Sequence, residues 1–360
     1  MDQPWVSRFF ALWAQLTLSR PCASLLFNLD APLFPAALFH PMLLRPASAR
    51  DLAIAVKQAH DQGQPLASPD MSALNRVLDY TPEDMTVTVE TGITLFSLQN
   101  HLAQRRQWLP IDPLDPATTT VGDILNTNLS GPHRFGFGTI RDHLIGLKAV
   151  LADGRVIKNG GKVVKNVAGY DLCKLFVGSQ GSLGILVEAT FKLRPLPEAK
   201  QFLAAPCQSL PQASALLGAI LESEITPVVL DLHNVADSPL AAGKTPPVQL
   251  VLGFAGTRAE VEWQTARAAD LGVTQPTDLG YEAAFWQPGR SSPHRISVLP
   301  SRATELLQEM GEVEFVARAG NGVVYYRGGN PPARDEVPTA LMRRIKETYD
   351  PKNIFRELPL

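Results

Sequence analysis

Cysteine is scarce in this 360-residue chain: Cys22, Cys173 and Cys207 lie far apart and form no C-x-x-C pair. That spacing argues against a zinc ribbon, an iron–sulfur cluster or a disulfide framework within the chain, and it fits reduced thiols in a cytosolic protein. An excess of one charge is lacking too. The net charge is −2 and no long basic run occurs, so neither a polyanion-binding surface nor a nucleic-acid partner is expected. Long apolar runs are missing. Residues 9–18 are interrupted by Gln15 and Thr17, and residues 25–39 by Asn28, Asp30, Pro32 and Pro35. Neither reaches the ~18 uninterrupted apolar residues of a membrane helix. A secretory signal wants a basic stretch ahead of its apolar core, and only Asp2 and Arg8 stand there. Residues 1–40 are read as an N-terminal extension, with an interfacial anchor or a docking helix as the functional alternative. Internal repeats and low-complexity segments are absent as well.

What is present is an ordinary globular composition, 45% hydrophobic, in a length suited to about two domains. Residues 49–62 carry a helical pattern that stops at Gly63. Thr86 to Glu90 alternates as a strand, and Thr94 is placed to cap a helix through Leu95, Leu98 and Leu102. Residues 146–151 and 155–157 read as strands joined at Asp153-Gly154, and 183–193 alternates again. After Lys200 the pattern predicts helices at 209–221, 258–271, 304–309 and 341–350, with strands at 248–254, 295–299 and 321–326. The interleaving lacks the period of a parallel Rossmann sheet and predicts an α+β layer fold.

Glycine clusters in GGKVVKNVAGYDLCKLFVGSQGSLGI at 160–185. Six glycines there permit positive φ and close backbone approach to a phosphate-bearing or planar ligand, although a plain turn is the commoner meaning of such a cluster. The order of residues is more specific. RPAS at 45–48, DMSALNRVLDYTPEDMTVTVETG at 70–92, LPIDPLDPATTTVG at 109–122 and SGPHRFGFGTIRDHLIGL at 130–147 lead into VLADGRVIKNGGKVVKNVAGYDLCKLFVGSQGSLGIL at 150–186 and TFKLRPLP at 190–197. Together they resemble the FAD-binding domain of the vanillyl-alcohol oxidase and para-cresol methylhydroxylase (PCMH) superfamily. Within it they are most similar to the glycolate oxidase E-subunit family, for which KNVAGYD is the marker.

The resemblance implies a PCMH-type FAD-binding domain over 41–198 and a smaller α+β cap domain over 199–360. It implies non-covalent FAD. Thr120, Val121, Gly122, Ser130, Gly131 and Pro132 would face the diphosphate, Thr139, Arg141 and Asp142 the flavin and ribityl side, and Gly181, Leu183, Gly184 and Ile185 the adenine and ribose. It implies a subunit that oxidises glycolate to glyoxylate beside a flavin-bearing D-like and an iron–sulfur F-like subunit, in the cytoplasm or peripherally on the inner membrane through that complex. A cofactor-free scaffold and an independent FAD-dependent 2-hydroxy acid dehydrogenase are the alternatives.

Two departures point to weakened or lost FAD. The family's first diphosphate loop, an arginine, three glycines and a threonine, belongs after Gly63-Gln64-Pro65-Leu66. Here that segment runs almost directly into Asp70-Met71-Ser72. Asp123 also stands where a second glycine usually follows Gly122, and a carboxylate at about 4 Å from a diphosphate costs roughly 4 kcal/mol at an effective dielectric near 20. His133, His143, His233 and His294 are candidate bases by residue type only, so no catalytic residue is assigned. Arg134 and Lys165 are the candidate cations for a substrate carboxylate, with turn stabilisation equally open for Lys165 and Asn166. Arg141 with Asp142 reads equally well as a surface ion pair, and Glu83-Asp84 as a solvated turn. No metal site is expected.

Overall fold

The computed structural model describes residues 44–162, 171–235, 247–329 and 339–358. Ser48 opens α1 (Ala49–Gln62), where its hydroxyl accepts from the Asp51 amide, and Leu52, Val56 and Ala59 recur on the buried face. Gly63, at φ 63°, closes the helix in the left-handed region.

The hairpin β1 (Val77–Thr81) and β2 (Thr86–Glu90) leads through α2 (Leu95–Ala103) and β3 (Gln107–Trp108) to three short helices. These are α3 (Val121–Thr127), α4 (Arg134–Phe137) and α5 (Ile140–His143). A second hairpin, β4 (Leu144–Val150) and β5 (Val156–Gly160), turns through Gly154, and α6 (Leu172–Phe176) precedes β6 (Ile185–Lys192). β6 inserts between β2 and β4, giving the order β1-β2-β6-β4-β5 with every pair antiparallel. One face of this sheet packs Val87, Val89, Leu147, Ala149 and Phe191 against Leu95, Leu98, Ile124 and Leu125 of α2 and α3. Val150 and Val187, on the other face, pack on α1 and on Ile354 and Phe355 near the C-terminus.

β7 (Arg194–Pro195) pairs with β3, and β8 (Ala199–Cys207) starts a second sheet. α7 (Leu210–Glu222), β9 (Val229–His233), β10 (Val248–Gly256), α8 (Arg258–Asp270), β11 (Gln275–Pro276) and α9 (Gly280–Phe285) follow. Then come β12 (His294–Ser297), α10 (Ala303–Met310), β13 (Glu314–Arg318) and β14 (Val323–Arg327). The seven strands are antiparallel in the order β11-β8-β10-β9-β13-β14-β12. α7, α8 and α10 cover one face through Ala213, Leu217, Val261, Leu306 and Leu307. The other face, with Val229, Val251 and Val316, lies under α9 and α4. α11 (Thr339–Tyr349) returns to the first sheet, where Tyr349 meets Phe176 edge-on at 5.7 Å.

The α+β class follows the pattern read from the sequence, and the strands expected at 86–90, 183–193, 248–254, 295–299 and 321–326 overlap β2, β6, β10, β12 and β14. β8, β9 and β13 escaped that reading. β9 shows why: Asp231 and His233 alternate with Leu230 and Leu232 as a solvent-facing row would, yet all four are buried. Among the described residues no helix is long and apolar enough to cross a membrane. The extension 1–40 lies outside the described residues.

Candidate functional site

The Thr119–Gly122 loop is zipped to the segment 91–95. Leu95 N–H donates to the Thr119 carbonyl at 3.0 Å, Val121 N–H to Ile93 at 2.9 Å and Gly122 N–H to Thr91 at 2.7 Å. The two remaining amides close a capping box at the start of α3. Asp123 N–H donates to Thr120 Oγ1 at 3.1 Å, and Asp123 Oδ2 accepts from Thr120 N–H at 3.0 Å and from its hydroxyl at 2.6 Å. The Asp123 carboxylate thus takes the hydrogen bonds an anionic ligand would need. Thr120, Val121, Gly122 and Asp123 have no free backbone donor.

The other arm of a diphosphate cradle is missing as well. No glycine occurs between Gly63 and Gly92. The connection from α1 to β1 is instead tied down by Leu66 N–H to the Ile354 carbonyl at 2.7 Å and by Asp70 N–H to the Leu44 carbonyl at 2.9 Å. It lies directly on Gly92, where a Cβ would stand 1.9 Å from the Met71 carbonyl oxygen. The residues present at these two loops do not fit an FAD diphosphate.

The remaining expected contacts fall into three places. Ser130, Gly131 and Pro132 are buried, and a Cβ on Gly131 would lie 2.0 Å from the Asp112 carbonyl oxygen. Thr139 and Asp142 form a second capping box at α5, with Asp142 Oδ2 accepting from Thr139 N–H at 2.8 Å, while Arg141 is exposed and forms no ion pair among the described residues. Gly181 sits at φ 77° with open space around it, Leu183 is buried, Gly184 rests on Phe176 and the Val150 carbonyl, and Ile185 begins β6. The glycine run does meet α3: Gly178 N–H donates to the Leu125 carbonyl at 2.8 Å and Gln180 N–H to the Asn126 carbonyl at 2.9 Å. At this junction Asn126 Oδ1, Asn128 Oδ1 and Ser179 Oγ are buried without partners. Most of the KNVAGYD marker, Lys165 to Tyr170, lies outside the described residues, while Asp171 caps α6.

The histidines separate cleanly. His294 is exposed on β12. His143 is buried with Nε2 at 2.9 Å from the Phe137 carbonyl, and desolvation lowers its pKa. His233 stacks on Tyr281 at 4.3 Å, and burial pulls it down to about 4. His133 alone has a carboxylate partner: its Nδ1 lies 2.5 Å from Asp112 Oδ2. It sits among Trp108, Phe137 and Phe202, where β3, α4 and β8 converge. Arg134 is half-buried without an ion pair among the described residues, and desolvation lowers its pKa.

A second polar group lies under α9. The Arg318 guanidinium forks onto both oxygens of Glu282 at 2.7 Å and also reaches Asp231, which accepts from Tyr281 Oη at 2.6 Å. Burial alone would depress Arg318, but Asp231 and Glu282 hold its pKa well above the ordinary value. Asp231, Tyr281, Glu282, Arg318, Trp108 and Asp112 were not legible as site residues. Their partners lie tens of positions away, and no local spacing marks them. Cys173 and Cys207 are buried free thiols, and burial pushes Cys173 up to about 11.

Comparison with known proteins bears on this geometry. Residues 70–160 match the family described as FAD binding domain. The chain aligns, at a TM-score of 0.65 over 88% of its length, with 77% of an alkyldihydroxyacetonephosphate synthase at 19% identity. The chain has a PCMH-type FAD-binding fold. In sequence it is 38% identical over 158 residues to glycolate oxidase subunit GlcD of Bacillus subtilis (strain 168), covering 44% of this chain and 34% of that one. It is 35% identical over 131 residues to glycolate oxidase subunit GlcE of Escherichia coli (strain K12), covering 36% of this chain and 37% of that one. The chain thus spans about a third of the length of these relatives. The PCMH-type fold is kept while both loops expected to hold the diphosphate are altered: one is absent and the other is capped by its own carboxylate.

Proposed function

We propose that this chain is a subunit of an assembly that oxidises a short 2-hydroxy acid, glycolate to glyoxylate, with FAD as the oxidising group. Similarity to two glycolate oxidase subunits supports the substrate class and the membership. The self-capped Thr120–Asp123 turn carries the division of labour: the D-like partner holds the flavin, the F-like partner passes electrons on through its iron–sulfur clusters, and this chain contributes folded surface and assembly. Its place is the cytoplasm, reaching the inner membrane only through the complex. In a second reading the chain itself binds FAD non-covalently. The match to the FAD binding domain family and the unpartnered Asn126, Asn128 and Ser179 at the glycine run favour that reading.

Absorbance of the purified chain during FAD titration separates the two. Under the first reading it stays colourless after dialysis, and it restores glycolate-dependent dye reduction when added to D-like and F-like partners. Stoichiometric flavin with turnover by the chain alone would establish independent catalysis instead. Failure of the reconstituted mixture to oxidise glycolate, or any other short 2-hydroxy acid, would remove the proposed function.

A further inference from the structure

The seven-stranded sheet ends at β11 on one side and at β12 on the other. β11 has two residues, and its Pro276 has no N–H to offer a further strand. β12 pairs with β14, and just beyond it Val298 N–H donates to the Gly322 carbonyl at 2.8 Å. Bonds to a neighbour alternate along an antiparallel strand, so His294 and Ile296 turn their amides and carbonyls to β14, while those of Arg295 and Ser297 turn outward. No described residue hydrogen-bonds to these outward groups, and Arg295 and Ser297 are exposed.

The side chains beside this edge carry charge on one face. The register sets Arg295 opposite Tyr325, and Tyr325 opposite Val316, which packs under α9 and α4. Residues directly opposite share a face, so Arg295 projects on the side where Arg134 of α4 lies. Desolvation lowers the Arg134 pKa, and Arg295 and Arg318 add to the lowering as like charges, against Tyr325 and Asp142. Arg318 is held by Asp231 and Glu282, whereas Arg134 and Arg295 have no ion pair among the described residues. An arginine keeps its charge at any physiological pH, so both guanidiniums are permanent cations. On the opposite face Ile296 is half-buried, and Leu299, 68% exposed, follows the strand. One face of the edge therefore suits carboxylates and the other an apolar side chain.

We propose that β12 is the docking edge for an extended segment of a partner subunit in which acidic and apolar side chains alternate. Its backbone pairs with Arg295 and Ser297, its carboxylates meet Arg295 and Arg134, and its apolar residues cover Ile296. A second copy of this chain would bring its own Arg295 beside the first, and like charges on adjacent strands repel. The proposal rests on the reading that this chain supplies surface for an assembly, and it names the strand that does so.

Hydrogen exchange of the Arg295 and Ser297 amides tests it, in the full-length chain and in the reconstituted assembly. In the free chain both should exchange fast, with Ile296 slower. A synthetic peptide alternating glutamate and valine should protect both amides by about ten-fold or more, and its lysine–valine counterpart should not. Joining the D-like and F-like partners should protect the same two amides. Arg295→Glu should weaken the acidic peptide by about ten-fold or more, since a carboxylate then faces carboxylates. Ser297→Pro removes an outward N–H that has no partner in the free chain, so it should leave melting unchanged and abolish protection of the Arg295 amide. The proposal is overturned if the acidic peptide leaves both amides fast, if the basic peptide protects them equally, if Arg295→Glu binds the acidic peptide as tightly, or if the active assembly leaves both amides fast. Any of these while the assembly oxidises glycolate sinks the docking edge and leaves the proposed function standing. Protection by the acidic peptide beside a mixture that oxidises no 2-hydroxy acid keeps the edge and sinks the function.

Discussion

Asp123 shows how one side chain redirects a loop. A residue expected to repel a diphosphate instead closes a reciprocal cap with Thr120, so its charge is spent inside the chain. Asp123→Ala should lower stability by about 1 kcal/mol, the usual worth of such a cap, and urea denaturation measures it. Asp123→Gly removes the same cap, but the absent first loop keeps FAD weak; tight FAD binding by that variant would show that charge alone was the obstacle. His233 is a second case. Its folded pKa, about 4, lies below the ordinary 6.5 because burial disfavours the imidazolium. Between those values the unfolded chain binds the additional proton, so the contribution is complete above the unfolded pKa and is lost as pH falls toward about 4. The size is at most about 3 kcal/mol. Urea midpoints measured from neutral pH downward should fall through this window, and His233→Gln should flatten the fall.

At the scale of elements, α11 acts as a clamp on the glycine run. Lys346, only 7% exposed, donates to the Ser182 carbonyl at 3.1 Å and pairs with Asp350, whose carboxylate also accepts from the Ile354 and Phe355 amides. Ile354 then reaches Leu66, so one short C-terminal segment holds both the glycine run and the shortened α1–β1 connection. Lys346→Met leaves a buried carboxylate without its cation and should cost about 3 kcal/mol. Hydrogen exchange should rise first at the Gly178 and Gln180 amides. Unchanged exchange there, with an intact fold, would mean that the turn is held by α3 alone.

At the scale of the whole molecule, the two sheets meet through α4. Gly136 lies so close to β9 that a Cβ would stand 2.6 Å from Val228 Cα, and its amide donates to the Val228 carbonyl at 3.1 Å. Gly136→Ala therefore presses backbone on backbone and should destabilise by about 1–3 kcal/mol. It should also broaden the Trp108 indole resonance, because the rings around His133 hang on the same contact. A variant with wild-type melting would show that α4 moves freely over the second sheet.

The alternation at 86–90, the cap at Thr94, the glycine stops and the ordered motifs from RPAS to TFKLRPLP are local properties, and a backbone read one segment at a time is enough to place them. The missing first loop was legible for the same reason, since an absence of glycine is a matter of composition. Asp123 was visible as a departure, but its partner was decided only when the start of α3 folded and brought Thr120 within reach. The burial of Asp231 and His233, the fork of Arg318 onto Glu282, and the meeting of Trp108 and His133 belong to the tertiary structure alone. Each joins residues from different elements, and what makes a polar side chain paired, orphaned or charged is the set of atoms that packing places around it.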